Sequence, residues 1–310
     1  MKLKRIFILL LLILLATWTS YAKEGSDSYP HGSENWMAGA VPGPGFYYLN
    51  YFFYYSGELR DGSGNKVNLG GTTPSVTAVA EATRYLLVPN FRLLGGTYAV
   101  HLIVPLVYQS VDLGGKKSAT TLADFSLIPF ALTYHSKLAH QFVALEFDAP
   151  TGHFNAADPR VSIGSGAWTV MPMYGVSILP RSGWDLSGKF MYDFHLKNAT
   201  DNYKSGQEFH MDYLAGKHFG PVGLAASGYF VKQTTSDTVN GVTVPAAPGL
   251  YSTGRKGQVF GVGPSVMYTA KNHMMFVVQY TREVAVENRF GGDKVLFKVI
   301  VPVSGLLAKK

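Results

Sequence analysis

The feature that most constrains this chain is a two-residue alternation running through Trp184–His195 and again through Glu208–Phe219. Trp184, Leu186, Phe190, Tyr192 and Phe194 alternate with Asp185, Ser187, Lys189, Asp193 and His195. Phe209, Met211, Tyr213 and Ala215 alternate with Glu208, His210 and Asp212. Successive side chains of a β-strand point to opposite faces, so each segment is a strand with one aromatic face and one charged face. A soluble sheet can carry that pattern with its polar face in water. A membrane barrel carries it with the aromatic face toward lipid and the charged face toward a lumen.

The N-terminus helps to choose. Lys2, Lys4 and Arg5 precede an apolar run from Ile6 to Ala16, and Ser20-Tyr21-Ala22 supplies small residues for a cut. This predicts a signal peptide over residues 1–22. Its eleven apolar residues are too few to cross a bilayer as a helix, and no later apolar run approaches the roughly 20 that would. The chain holds 19 Tyr, 19 Phe and 34 Gly, with only 15% charged residues against about 25% in ordinary soluble domains. An exported, Tyr- and Gly-rich chain without helical spans reads as an outer-membrane β-barrel. It has no cysteine, which excludes disulfides and thiolate metal sites. The net charge of +7 is partly leader and terminal lysines. The rest is spread out, without the Lys/Arg clusters that track nucleic acid, so no nucleic-acid partner is expected.

Alternation and turn residues mark about twelve strands between Phe46 and Val303, and no stretch sustains a helical period. The short turns Ser136–His140, Pro180–Gly183, Gly220-Pro221 and Ala270–His273 alternate with the longer loops Gly57–Pro74, Asp112–Thr121, Ala149–Gly166, Lys197–Gln207 and Thr235–Gly257. Outer-membrane barrels have short periplasmic turns and longer extracellular loops. The expected fold is therefore all-β, a closed antiparallel transmembrane barrel over 46–303. An N-terminal periplasmic arm or plug over 23–45, with Trp36 as its large anchor, precedes it, and a tail over 304–310 follows. The expected location is the bacterial outer membrane.

Turning the charged faces inward nominates Glu146, Asp148, Asp185, Lys189, Asp193, His195, Glu208, His210 and Asp212 as lumen or constriction residues, with Gln279 and Glu283 beside them. A basic residue on the lipid face near mid-membrane would cost about 2–4 kcal/mol. Acids outnumber bases in this set, which favours uncharged or cationic solutes over anions. Pro105, Pro129, Pro172 and Pro264 sit inside apolar strands. Proline removes a ladder hydrogen bond, so each should mark a bulge or break, and one of them could form a lateral opening toward lipid. The first strand, FYYLNYFFYY, is aromatic on both faces apart from Asn50. Some of its rings must face inward, and Tyr48, Phe52 and Tyr54 are assigned as aromatic solute contacts.

Several segments resemble one exported family. Pro42-Gly43-Pro44-Gly45-Phe46-Tyr47-Tyr48 and the following Asp61-Gly62-Ser63-Gly64-Asn65 are similar to its opening. Asp148-Ala149-Pro150-Thr151-Gly152-His153-Phe154 resembles its mid-chain loop, Ile163-Gly164-Ser165-Gly166-Ala167-Trp168 the start of the next strand, and Gly261-Val262-Gly263-Pro264 a late strand. The family is labelled "putative meta-pathway of phenol degradation". The resemblance implies an outer-membrane barrel associated with catabolism of aromatic or other hydrophobic compounds, and it transfers no catalytic residue.

Nine histidines invite an enzyme reading, but no HExxH helix, G-x-S-x-G elbow or P-loop is present. Ser187, His210 and Asp212 could be assembled into a triad, though nothing selects them, and no catalytic residue is assigned. A metal site from His195, His210 and nearby carboxylates competes with a plain wet lumen. The wet lumen is preferred, since a barrel interior needs polar lining in any case, so no metal or cofactor is expected. The reading is a monomeric channel for passive uptake of small hydrophobic or aromatic compounds, partnered by membrane lipid and that solute. A barrel-embedded lipid-modifying hydrolase and a structural or adhesive barrel are the alternatives.

Overall fold

The computed structural model describes residues 27–303, so the predicted signal peptide and the 304–310 tail lie outside the described residues. Twelve strands form the wall: β1 Gly45–Leu59, β2 Ser75–Val88, β3 Gly96–Asp112, β4 Phe125–His135, β5 Ala139–Ala149 and β6 Thr169–Ile178 make one half. The other half is β7 Trp184–His195, β8 Glu208–Phe219, β9 Val222–Gln233, β10 Gln258–Thr269, β11 Met275–Glu287 and β12 Phe290–Pro302. Each pairs antiparallel with the next, and β12 returns to β1 with Tyr47 opposite Pro302 and Phe52 opposite Phe297. The ring is closed. Closure leaves no edge whose N–H and C=O groups would meet hydrocarbon unpaired.

Burial separates the two readings of the alternation. Leu87, Leu224, Val278 and Phe219 are about half exposed, whereas Asp185, Lys189, Asp193, His210 and Lys298 are buried. A soluble sheet would reverse this order. An apolar outside around a charged inside is the arrangement that lipid demands.

The long connections gather at one end and the short ones at the other. One connection departs from the alternation: β11 and β12 are joined at the long-loop end by only Asn288-Arg289, with Asn288 at φ +52°. Asparagine tolerates that left-handed conformation, which lets β12 begin at Phe290, earlier than its apolar pattern suggests. The region expected as loop 112–121 contains a strand, Lys116–Leu122, paired with Leu106–Asp112 of β3. It extends β3 beyond the wall as a hairpin.

Pro105, Pro172 and Pro264 each keep one ladder and disturb the other, whereas Pro129 is unpaired on both sides. Pro105 pairs with Ala82 on β2, but on its β4 side pairing lapses between Ile103–Ser126 and Leu106–Leu122. Pro129 sits in a register shift between Leu127 and Phe130 against β5. At Pro172 and Pro264 the β7 and β11 ladders skip two residues and resume in the same register. A missing N–H explains each lapse. The β3–β4 seam carries the most irregularity, because a second shift lies between Ala99 and His101.

Candidate functional site

The interior is built by residues 27–44 lying along the inward faces of the strands. Asp212 on β8 accepts from Tyr29 Oη (2.7 Å), the Gly32 N–H (2.7 Å) and the Glu34 N–H (3.1 Å). Asp185 on β7 accepts from the Met37 N–H (3.0 Å), and Ser177 on β6 from the Gly39 N–H (2.8 Å). Trp36 donates its indole N–H to Ser265 Oγ (2.8 Å) and packs on Leu214, Met267 and Val277. On the far wall Lys298 Nζ meets the Ser33 carbonyl (3.0 Å) and Glu34 (3.2 Å), while Arg84 and Tyr51 also contact Glu34. Arg289 reaches Asp27 at 2.6 Å. An irregular segment inside a barrel must find partners for its own backbone groups, and the lumen carboxylates and hydroxyls supply them.

Between this segment and the outer loops lies a cavity of about 360 Å³ with two unlike walls. One wall is apolar: Tyr51, Phe53, Ala80, Ala82, Ile103, Pro105 and Val107, from β1, β2 and β3. The other presents Lys189, Glu208, Glu283, Arg289 and Lys294, with Glu146 between the two. Alanines spaced by two at 78, 80 and 82 make the room, since their inward positions carry only a methyl group.

All nine nominated lumen residues are buried inside the barrel, so the structure brings them onto one wall. Their employment differs. Asp185 and Asp212 hold the N-terminal segment. Asp193 accepts from His210 Nε2 (2.8 Å), His195 Nδ1 meets Thr169 Oγ1 (2.9 Å), and Asp148 meets Ser126. Lys189 lies 4.2 Å from the centre of the Tyr29 ring, a cation–π contact.

The three assigned aromatic contacts are corrected. Phe52 and Tyr54 are 46% and 43% exposed on the outer face, and Tyr48 shares that face. The inward rings are Tyr51, Phe53 and Tyr55. Alternation gives no phase for a strand that is aromatic on both faces, and Asn50, its polar residue, faces outward, where Glu81 and Tyr48 satisfy it. Sequence reasoning also missed the inward bases Arg84, Arg289, Lys294 and Lys298, which offset much of the acid excess. Lys298 was legible, being two residues from Leu296 and from Ile300 on the same face of an apolar strand. Arg289, in a turn, had no such signal.

Ser187, His210 and Asp212 do not assemble. Ser187 Oγ donates to Asp185 and meets Ser177 Oγ (2.6 Å), while His210 turns to Asp193 and Asp212 to the N-terminal segment.

The mid-chain loop 150–168 closes over the cavity. Asp124 accepts from the Gly152 N–H (2.8 Å), the Ser165 N–H (2.8 Å) and Ser165 Oγ (2.6 Å), tying both arms of the loop to the start of β4. Gly152 and Gly164 face each other so closely that a Cβ on Gly164 would lie 2.6 Å from the Gly152 carbonyl carbon. At the loop tip hydrogen bonds from Arg160, then Lys117, hold the Asp158 carboxyl well below the usual range. Gly164→Ala should cost this loop about 1–3 kcal/mol through backbone displacement. Trypsin cleavage after Arg160 should then accelerate by roughly tenfold, and unchanged cleavage would refute the tight glycine contact as what seats the loop.

A family model described as "Putative MetA-pathway of phenol degradation" matches residues 56–299. The chain belongs to that family. The two mid-chain segments that resemble the family's, Asp148–Phe154 and Ile163–Trp168, meet at Gly152 and Gly164. A crystal structure of an outer-membrane channel from Pseudomonas putida F1 shares the fold, with a TM-score of 0.70 at 13% identity over 88% of this chain and 98% of that one. The translocator domain of the autotransporter NalP from Neisseria meningitidis has a TM-score of 0.48 at 9% identity, over 84% and 90%. The CymD monoaromatic hydrocarbon channel gives 0.41 at 9% identity, over 84% and 88%. No curated protein matches by sequence. The chain is a closed antiparallel β-barrel with the apolar outside and charged inside of a membrane barrel.

Proposed function

We propose that this family member is a passive channel for small hydrophobic or aromatic compounds, working as a monomer in outer-membrane lipid. The apolar wall of the 360 Å³ cavity carries this reading. An apolar cavity of about 150 Å³ suffices to bind benzene, so a substituted aromatic ring fits between Phe53 and Pro105 without displacing protein. The charged wall opposite would take a hydroxyl or other polar group of the same solute. Transport needs no reacting group, in keeping with the dispersed Ser187, His210 and Asp212. In this reading residues 27–44 are a plug, seated by Asp185, Lys189 and Asp212 among the nine lumen residues.

The test is uptake into proteoliposomes of a radiolabelled phenol beside a sugar of similar size. Wild-type barrel should admit the phenol and largely exclude the sugar. Ala80→Trp fills the cavity and should reduce phenol uptake to that of protein-free vesicles, with heat-modifiable gel mobility unchanged. Equal passage of both solutes, or full uptake by the filled variant, would sink the proposal.

The lapse at Pro105 supports a lateral route in addition. Pro105, Ala123 and Asp124 line the cavity at the seam where the β3–β4 ladder lapses. One hydrogen bond, from the Ala123 N–H to the Pro105 carbonyl (3.0 Å), spans that gap. A solute that dissolves in lipid leaves more readily by such a seam than through a plugged axis. Pro129, on the same seam, is the second candidate, whereas Pro172 and Pro264 interrupt ladders that resume in register.

A further inference from the structure

We infer that Asp193, His195 and Glu208 form a binding site for a single divalent transition cation, with zinc the best match. One ligand atom from each lies within 4.8 Å of the others, and all three side chains are buried. His195 Nε2 is 3.9 Å from Asp193 Oδ2 and 3.8 Å from Glu208 Oε2.

The groups behind His195 Nε2 and Asp193 Oδ2 leave those two atoms available, while Glu208 Oε1 lies 3.7 Å from Arg289. Thr169 Oγ1 engages His195 Nδ1 at 2.9 Å, which turns Nε2 toward the carboxylates. His210 Nε2 engages Asp193 Oδ1 at 2.8 Å, which turns Oδ2 toward His195. Both His195 Nε2 and Asp193 Oδ2 are then buried without a hydrogen-bond partner. Metal-binding imidazoles and carboxylates characteristically have their second atom held in this way, while buried polar atoms elsewhere in proteins are nearly always paired. Two lone-pair atoms, each lacking a hydrogen-bond partner and each within 4 Å of the other, are what a cation would satisfy.

The donor set selects the ion. One imidazole and two carboxylates suit zinc, which accepts three protein ligands and an open position. Calcium and magnesium require six or more oxygens and fit poorly. Zinc bonds of about 2.0–2.2 Å hold tetrahedral ligand atoms roughly 3.4 Å apart, so closure needs side-chain movements under about 1 Å. Of the three, Glu208 also lines the cavity's charged wall. The site joins β7 to β8, whose register places Asp193 opposite Glu208. A bound ion therefore staples two strands at cavity height, and a cavity solute bearing a hydroxyl could reach it.

The test uses the purified, folded barrel in detergent, stripped with chelator and titrated with zinc alone. His135 and His140, whose Nδ1 atoms are 3.0 Å apart at an exposed turn, could bind zinc independently, so the reference protein carries His140→Ala. About one zinc per chain should remain after dialysis, and the heat-modification temperature should rise by several degrees. Asp193→Asn and His195→Gln should each lose the zinc and the temperature rise. Should these variants fail to show folded gel mobility, cobalt titration of the reference protein decides. Visible d–d bands of a four- or five-coordinate ion, at one equivalent, support the site, and a six-coordinate aquo-like spectrum overturns it. Zinc retained by folded Asp193→Asn and His195→Gln overturns it too.

Discussion

Asp212→Ala should convert a nearly closed barrel into a conducting one. The carboxylate takes three hydrogen bonds from the N-terminal segment. Hydrogen bonds to a charged group contribute about 1.5–3 kcal/mol each. A net loss of about 3 kcal/mol, allowing for relaxation and water entry, shifts the docked fraction by about two orders of magnitude. Residues 29–34 should detach first, since the Trp36 indole and its cluster with Leu214, Met267 and Val277 hold the lower part independently. In planar bilayers the single-channel conductance of the variant should exceed wild type by several-fold, with frequent closures. Adding Trp36→Ala should remove the closures and raise conductance further, toward that of an unobstructed twelve-strand lumen. A double variant that folds and conducts no better than wild type would show that residues 27–44 do not block the path.

The second large effect concerns the seam. Ile103 and Ser126 are direct partners across β3 and β4, beside the lapse at Pro105, and both face inward. Paired residues of antiparallel strands have Cα atoms about 4.5–5.5 Å apart, within the range of roughly 4.4–6.8 Å that a disulfide accepts. The native chain has no cysteine, so Ile103→Cys with Ser126→Cys forms one defined bond. Oxidised, the barrel should lose most uptake of an apolar solute while its ion conductance stays unchanged. Reductant should restore uptake. A matching pair at Met211 and Phe230, on the unbroken β8–β9 ladder, should have no effect. Full uptake through the locked seam would rule out lateral exit there and leave the axial route.

These predictions rest on features of unequal visibility in the sequence. The strands β7 and β8 begin and end where alternation and turn residues put them, because each has one polar and one apolar face. The first strand shows the opposite case. Its rings on both faces gave the period but not the phase, and the outward Asn50 pointed to the wrong face. Residues that meet across strands were less legible still. Asp193 and His195 are neighbours on one strand, but that Glu208 joins them depends on the register of β8, and that His210 orients Asp193 depends on a side-chain rotamer. The apolar wall was spread over three strands, as alanines at 78, 80 and 82 that carry no individual signal.

The sequence by itself determined a chain of about twelve antiparallel strands with a charged face and an apolar face. Period and turn chemistry are local properties, each written within a few residues. Tertiary structure alone decided which wall residues hold residues 27–44 and where an apolar cavity remains beside them. Those depend on closure of β12 onto β1, which sets the register of every row around the barrel at once. Closure is a property of the whole ring, and no single strand encodes it.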